Sequence, residues 1–248
     1  MKLAHLGAIA TTLTIAIGVI LAVGPAYMHT LERDKPPPVM LSFSVVDGQN
    51  DDIPQWCKDL SSILARHNVK ATVFVTGKVA EQNPSCVTAL AAYSGIDIGS
   101  QTYSYVALPS LKDYAQALDE VKHGKDAVDR AGNINSRIFK APYGATDQNI
   151  YSLLSSSGIS ADFSYSSQYN KFEGGQFVKY NLVSCDNCNG SPDRVRQLMD
   201  MHSPVMIDID NTAKTSEIES LVVALKDHNV NLVNASGLTG LDLTVRNA

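Results

Sequence analysis

The stretch Arg66-His67-Asn68-Val69-Lys70-Ala71-Thr72-Val73-Phe74-Val75-Thr76-Gly77 decides the fold, because it holds the end of a helix and the whole of a buried strand. From Pro54 to His67, Trp56, Leu60, Ile63 and Leu64 recur at helical spacing and share one face. Val69 to Val75 is then dense in β-branched and aromatic side chains, which suit a pleated, buried surface. A helix that runs so directly into a strand is a unit of a parallel sheet.

The same alternation extends in both directions. Val39 to Val46 reads as the preceding strand. Downstream, a helix over Pro84 to Tyr93 leads to a strand around Ile96 to Ile98, and a longer helix over Leu111 to Ala131 places Leu111, Ala115, Leu118 and Val121 on one side. Arg137 to Ala141 is strand-like, and Asp147 to Ser157 is helical with Gly158 where a left-handed cap is wanted. Gln176 to Val183 gives a further strand, and Ser191-Pro192-Asp193 opens a helix with a capping hydroxyl, a proline and an acid. Val205 to Asp210, a helix from Thr215 to His228, and Val230 to Val233 complete the chain. Six to eight such units close into a barrel, so the sequence predicts an α/β fold, a distorted (β/α) barrel, with reactive groups on loops at the carboxyl ends of strands.

Among 248 residues, 44% are apolar and 18% charged, an ordinary globular balance. The net charge of -5 is spread along the chain and leaves no basic field to attract nucleic acid. Leu6 to Met28 carries no charge, and about 20 apolar residues match a hydrocarbon core of about 30 Å. We read residues 6–28 as a retained transmembrane helix with the rest of the chain outside; a signal peptide cleaved near Ala22, Gly24 or Ala26 is the alternative. Lys35-Pro36-Pro37-Pro38 is a stiff linker. The predicted organisation is residues 1–35 as hydrophobic anchor (or uncleaved signal) and linker, and residues 36–248 as the folded domain.

An exterior location permits disulfides. Cys185 and Cys188 admit three readings: a tight surface disulfide, which we favour, half of a four-cysteine zinc site with Cys57 and Cys86, or a redox pair. Pairing of Cys57 with Cys86 is a further option that spacing does not decide. Asn189-Gly190-Ser191 and Asn234-Ala235-Ser236 match the glycosylation acceptor pattern.

Five stretches together carry a resemblance. They are Leu41-Ser42-Phe43-Ser44-Val45-Val46-Asp47-Gly48, the Arg66 to Gly77 stretch, Ile96-Asp97-Ile98-Gly99-Ser100-Gln101-Thr102-Tyr103-Ser104-Tyr105, Phe139-Lys140-Ala141-Pro142-Tyr143-Gly144, and the strand ending Asp208-Ile209-Asp210. In order and spacing the chain resembles the polysaccharide deacetylase (NodB-homology) family, also called carbohydrate esterase family 4. The resemblance implies hydrolysis of N-acetyl groups on a sugar polymer. The family's metal, held by one aspartate and two histidines four apart, polarises the carbonyl, while a carboxylate base takes the water's proton and a histidine protonates the amine.

Carried onto this chain, each role meets a different side chain. With Gly48 as anchor, Asp47 matches the metal-ligand carboxylate and Val46 stands at the base position. Gln101 and Tyr105 match the two histidines, and neither replaces imidazole for zinc or cobalt. Lys140 matches the arginine that holds the base, keeping the charge but not the planar fork, and with Val46 opposite it is expected to lack a partner of the family type. The general-acid histidine falls on Asp208 or Ile209, depending on a one-residue register. Gln101, Tyr105, Pro142 and Tyr143 are implied to line a groove. None of the six histidines stands on a catalytic position, and no Gly-x-Ser-x-Gly elbow is present.

The function expected is that of a membrane-anchored, extracytoplasmic polysaccharide deacetylase-like domain, catalytically impaired, that binds or acts on cell-envelope glycan. No cofactor is expected on that reading. One alternative is an active metal-dependent hydrolase in which Asp47, Asp208 and Asp210 form an all-carboxylate site for a divalent ion such as calcium or magnesium. Another is an accessory subunit of a membrane complex, with an unidentified protein partner held through the hydrophobic helix.

Overall fold

Strand β1 (Val39–Val45) is buried along its whole length, and the sheet is laid out on either side of it. In this computed structural model the described residues are 36–146, 150–185, 192–199 and 202–247, and all but Pro36 belong to a compact unit that begins at Pro37. The predicted span 6–28, Cys188 and the Asn189-Gly190-Ser191 acceptor lie outside them. Among the described residues no helix is long and apolar enough to cross a membrane.

On one side β1 pairs in parallel with β2 (Ala71–Val75), followed by β3 (Ile96–Ser100), β5 (Ile138–Phe139) and β6 (Ala161–Asp162). On the other it pairs with β10 (Val205–Asp210), which pairs with β9 (Val183–Cys185). The main-chain bonds Leu182 N to Ser167 O, 3.2 Å, and Ser184 N to Ser166 O, 2.7 Å, bring β9 against the segment after β6 and nearly close the barrel. An antiparallel hairpin, β7 (Gln168–Glu173) and β8 (Gln176–Asn181), extends the sheet beyond β6. The short β11 (Leu232–Val233) joins the start of β1, and β4 (Ile134–Ser136) pairs with β12 (Thr244–Arg246) in a separate ribbon.

Residue parity along β1 divides the molecule into layers. Val39, Leu41, Phe43 and Val45 pack with Trp56, Leu60 and Leu64 of α1 (Ile53–Arg66) and with Leu90 of α3 (Pro84–Ala91), while α2 (Gly77–Gln82) adds Val79. Met40 faces the other way and joins Phe74, Ile138, Phe163 and Met206 in a second apolar cluster, the plug of the barrel. Ser42 and Ser44 lie on Met40's face, so polar groups begin where the plug ends. Full burial of each large side chain contributes about 1.5–3 kcal/mol, which fixes this alternation against a one-residue slip.

The predicted barrel and most of its units are present, with differences that have local causes. Helix α4 (Tyr114–Gly132) starts at Tyr114 and not Leu111, because Asp113 accepts from Gln116 N at 2.8 Å and caps it. Its buried face runs through Ala117, Val121, Gly124 and Val128, and Ala115 is exposed. Helices α5 (Ile150–Ser156), α6 (Pro192–Met199) and α7 (Thr215–Asp227) follow the predicted order, and α8 (Ala235–Thr239) is additional. Cys57 and Cys86 form a disulfide between α1 and α3, which removes both thiols from any zinc site with Cys185. Asn234 is buried and accepts from Gly237 N at 3.0 Å as the cap of α8, so it is no glycosylation acceptor.

Gly77 and Gly124 let α4 lie flush on the loop after β3. A Cβ on Gly124 would stand 2.5 Å from the carbonyl carbon of Thr102, a backbone atom. Gly124→Ala is therefore expected to destabilise the domain by about 2–3 kcal/mol, as overpacking does. Urea unfolding checks this; a loss under about 0.5 kcal/mol would show that the loop yields freely.

Candidate functional site

Above the apolar plug, at the carboxyl ends of the strands, lies an open cleft of about 520 Å³. Its floor comes from three strands. Ser42 and Ser44 project from β1, and the register sets them beside Asp208 and Asp210 of β10. Lys140 follows β5, where its own N–H donates to Ser100 O at 3.1 Å. Its ammonium pairs with Asp208 Oδ2 and donates to Ser44 Oγ at 3.2 Å, and Ser42 Oγ donates to Asp208 Oδ1 at 3.0 Å. The ring of Phe74, top of the plug, lies 5.7 Å from the ammonium.

One wall is the loop after β3. Gln101 is buried, and its Nε2 donates to Phe74 O at 3.0 Å. Thr102 and Tyr105 both take left-handed backbone conformations, φ 61° and 59°, which a non-glycine residue adopts only when its surroundings enforce it. Glu120 of α4 supplies that enforcement: its carboxylate accepts from Tyr103 N at 3.0 Å, Ser104 N at 2.9 Å and Ser104 Oγ at 2.7 Å. From the other side, Gly77 N donates to Thr102 O at 3.0 Å. Tyr105 is thereby turned into the cleft, where burial, then Tyr143, Asp208 and Asp210, push its phenol above the ordinary value. It is a neutral hydroxyl and not a phenolate ligand.

The opposite wall carries Tyr143, also left-handed at φ 60° and 74% exposed, with its ring 5.0 Å from that of Tyr105. Behind it Ser164 Oγ accepts from Ala141 N at 2.7 Å and donates to Asp162. Asp162 is fully buried, and burial lifts its carboxyl from 3.8 to about 6 against the opposing hydrogen bonds of Ser164 and Asn170.

The structure gathers Gln101, Tyr105, Lys140, Tyr143, Asp208 and Asp210 around one cleft. Pro142 is buried and is not among the residues that line the cleft. Asp47 stands apart: its carboxylate pairs with Lys78 Nζ at 2.5 Å on the exposed surface. Asp210 accepts from Thr212 N at 2.9 Å and from the Thr212 hydroxyl, closing a turn. The predicted carboxylate trio is thus dispersed, and among the described residues no three His, Cys, Asp or Glu side chains converge on a cation position.

Lys140 pairs with Asp208, which is not a partner of the family type. One expectation is corrected: the residue that faces Lys140 is Ser44 and not Val46, so the comparison anchored on Gly48 is displaced. Asn211 explains the offset. Its buried amide accepts from Val46 N and donates to Val46 O, both at 3.1 Å, pinning Val46 below the rim while Asp47-Gly48 turns outward. Ser42 and Ser44 had a signal in the sequence, two hydroxyls on one face of an otherwise apolar strand; Asn211 and Glu120 had none.

A family model described as polysaccharide deacetylase matches residues 32–161. The fold is similar to that of the peptidoglycan deacetylase PdaC from Bacillus subtilis, at 17% identity and TM-score 0.57, covering 83% of this chain and 91% of that one. It is similar to a family 4 carbohydrate esterase from Streptomyces lividans, at 18% identity and TM-score 0.58, with 84% and 96% covered. A family 4 pseudoenzyme from Bacillus anthracis matches at 16% identity and TM-score 0.58, with 82% and 66% covered.

The buried carboxyl behind the wall gives a pH dependence of defined sign. A carboxyl lifted to about 6 keeps its proton in the folded protein where the unfolded chain has released it. Its contribution to stability is therefore fully present below about pH 4 and is lost as pH rises through about 6. Asp162→Asn, neutral at every pH, is expected to gain on the wild type by about 2–3 kcal/mol between about pH 4 and pH 7. Parallel melting-temperature profiles for the two proteins over that range would refute the assignment.

Proposed function

The chain belongs to the polysaccharide deacetylase family, and from that premise we propose that its domain, residues 36–248, binds cell-envelope glycan in the cleft lined by Tyr105 and Tyr143 with its hydrolytic chemistry impaired. The observation that carries this reading is the donor set. Where the family's two imidazoles are expected, this chain has an amide whose nitrogen is bonded to Phe74 O and a phenol that burial keeps protonated. Neither is a zinc ligand of useful strength. Opposite Lys140, where a carboxylate base is expected, stands the hydroxyl of Ser44. The residues do not fit the family's metal.

What remains suits a sugar. Two tyrosine rings offer apolar faces for the C–H side of a pyranose, and Lys140 and Ser166 on the cleft surface offer polar groups for hydroxyl and amide oxygens. The Bacillus anthracis protein of similar fold is a family 4 pseudoenzyme. On the same reading residues 6–28 hold the domain at the outer face of a membrane, within reach of envelope polysaccharide.

The test titrates the protein with an N-acetylglucosamine tetramer by calorimetry and assays acetate release alongside. We expect binding with no acetate above the buffer rate, and about five- to tenfold weaker binding for Tyr143→Ala, the loss of roughly one aromatic stacking contact. Because Tyr143 is largely exposed, that change leaves the fold intact. Enzymatic acetate release abolished by a chelator, or a Tyr143→Ala protein that binds as tightly as wild type, would sink the proposal.

A further inference from the structure

We infer that Lys140 supplies this cleft with a built-in cation in the place of a metal ion, so that a neutral oxygen ligand is bound here without metal. This rests on the glycan reading for the ligand's identity, and on the cleft's own geometry for the cation.

The ammonium is fixed from three directions. Asp208 takes one N–H, Ser44 Oγ takes a second at 3.2 Å, and the Phe74 ring lies 5.7 Å away on the side of the apolar plug. A lysine ammonium has three N–H donors, and among the described residues no third acceptor contacts this one. Lys140 lines the cleft, so the third donor is left to a ligand atom.

Each carboxylate of the candidate trio already has a partner. Asp208 gives one oxygen to Lys140 and the other to Ser42 at 3.0 Å, Asp210 holds Thr212, and Asp47 is turned out to Lys78. A divalent ion on Asp208 would share that carboxylate with an ammonium in direct contact. Like charges so placed repel strongly.

The same arrangement selects the ligand's charge. Asp208 cancels Lys140, and Asp210 on the rim leaves the cleft slightly negative. An anionic sugar or a phosphate gains nothing there. A neutral acceptor, such as an amide carbonyl or a hydroxyl, takes the third N–H without repulsion.

The experiment uses the full chain in detergent with two probes, zinc chloride alone and the neutral trimer of N-acetylglucosamine. In equilibrium dialysis, zinc uptake by wild type and by Lys140→Met/Asp208→Asn is expected to be the same. One equivalent taken up by wild type and lost in the double variant would overturn the inference, whatever the trimer does. In calorimetry, trimer affinity is expected to agree within twofold with and without EDTA. It is expected to fall at least tenfold in Lys140→Met/Asp208→Asn, a pair chosen so that no lone charge is left buried, and to stay within a few-fold in Lys140→Arg. A double variant with a wild-type melting temperature and wild-type affinity, or affinity that vanishes with EDTA, overturns the inference while leaving glycan binding standing. If the trimer fails to bind under every condition, the glycan reading falls, and the zinc comparison still decides whether Lys140 holds the metal's place.

Discussion

A lysine whose side chain is only 12% exposed at the floor of a barrel must have a fixed counter-charge, and the pairing of Lys140 with Asp208 is the constraint around which the mouth of this domain is arranged. The pair spans strands that are not neighbours: Lys140 follows β5, Asp208 is on β10, and β1 between them contributes both serines. Removing one partner of such a pair leaves an uncompensated charge at a cost of about 3–5 kcal/mol, whereas removing both together is far milder. The two residues therefore form one unit, and a chain that has acquired it cannot shed half of it cheaply.

The wall that carries Gln101 and Tyr105 is supported by atoms that take no account of which side chains stand at those two positions. Glu120 grips main-chain N–H groups of residues 103 and 104, Gly77 grips the carbonyl of residue 102, and Gly124 admits the loop by having no side chain. Tyr103 adds a stacked contact on His123, ring centroids 4.0 Å apart, and a hydrogen bond to Glu81. Exchange of the half-buried Tyr105 thus carries little penalty for the fold, whereas exchange of Gln101 forfeits its buried hydrogen bond to Phe74 O. That is a physical reason for a barrel of this family to persist while its donor set changes.

Much of the architecture was legible because parallel strands leave a strong local trace. The buried runs Val39–Val45 and Ala71–Val75 lie where β-branched and aromatic density put them, as does the helix bearing Trp56 and Leu60. Of the hairpin after β6 only the second strand is legible, within Gln176 to Val183; Gln168 to Glu173 is polar and irregular in pattern and gives no signal of its own. The turn Gly174-Gly175, with both φ positive, was the signal that could have found it. At the cleft, Gln101, Tyr105, Lys140 and Tyr143 could be nominated from motif order, but partners could not. The tie between Val46 and Asn211 spans 165 positions and shifts the apparent register by two residues, and the bond from Ser42 to Asp208 spans 166. Contacts of that range are properties of the folded barrel and leave no mark in adjacent letters.

The crosslink between α1 and α3 joins two sulfurs that water does not reach, since Cys57 and Cys86 are both fully buried. A dissolved thiol has no path to that bond while the helices stay docked, so breaking it requires prying the layer apart first. The linkage behaves like a ratchet pawl: once the oxidant has acted and the helices have closed over it, a later return to reducing surroundings does not by itself undo the step.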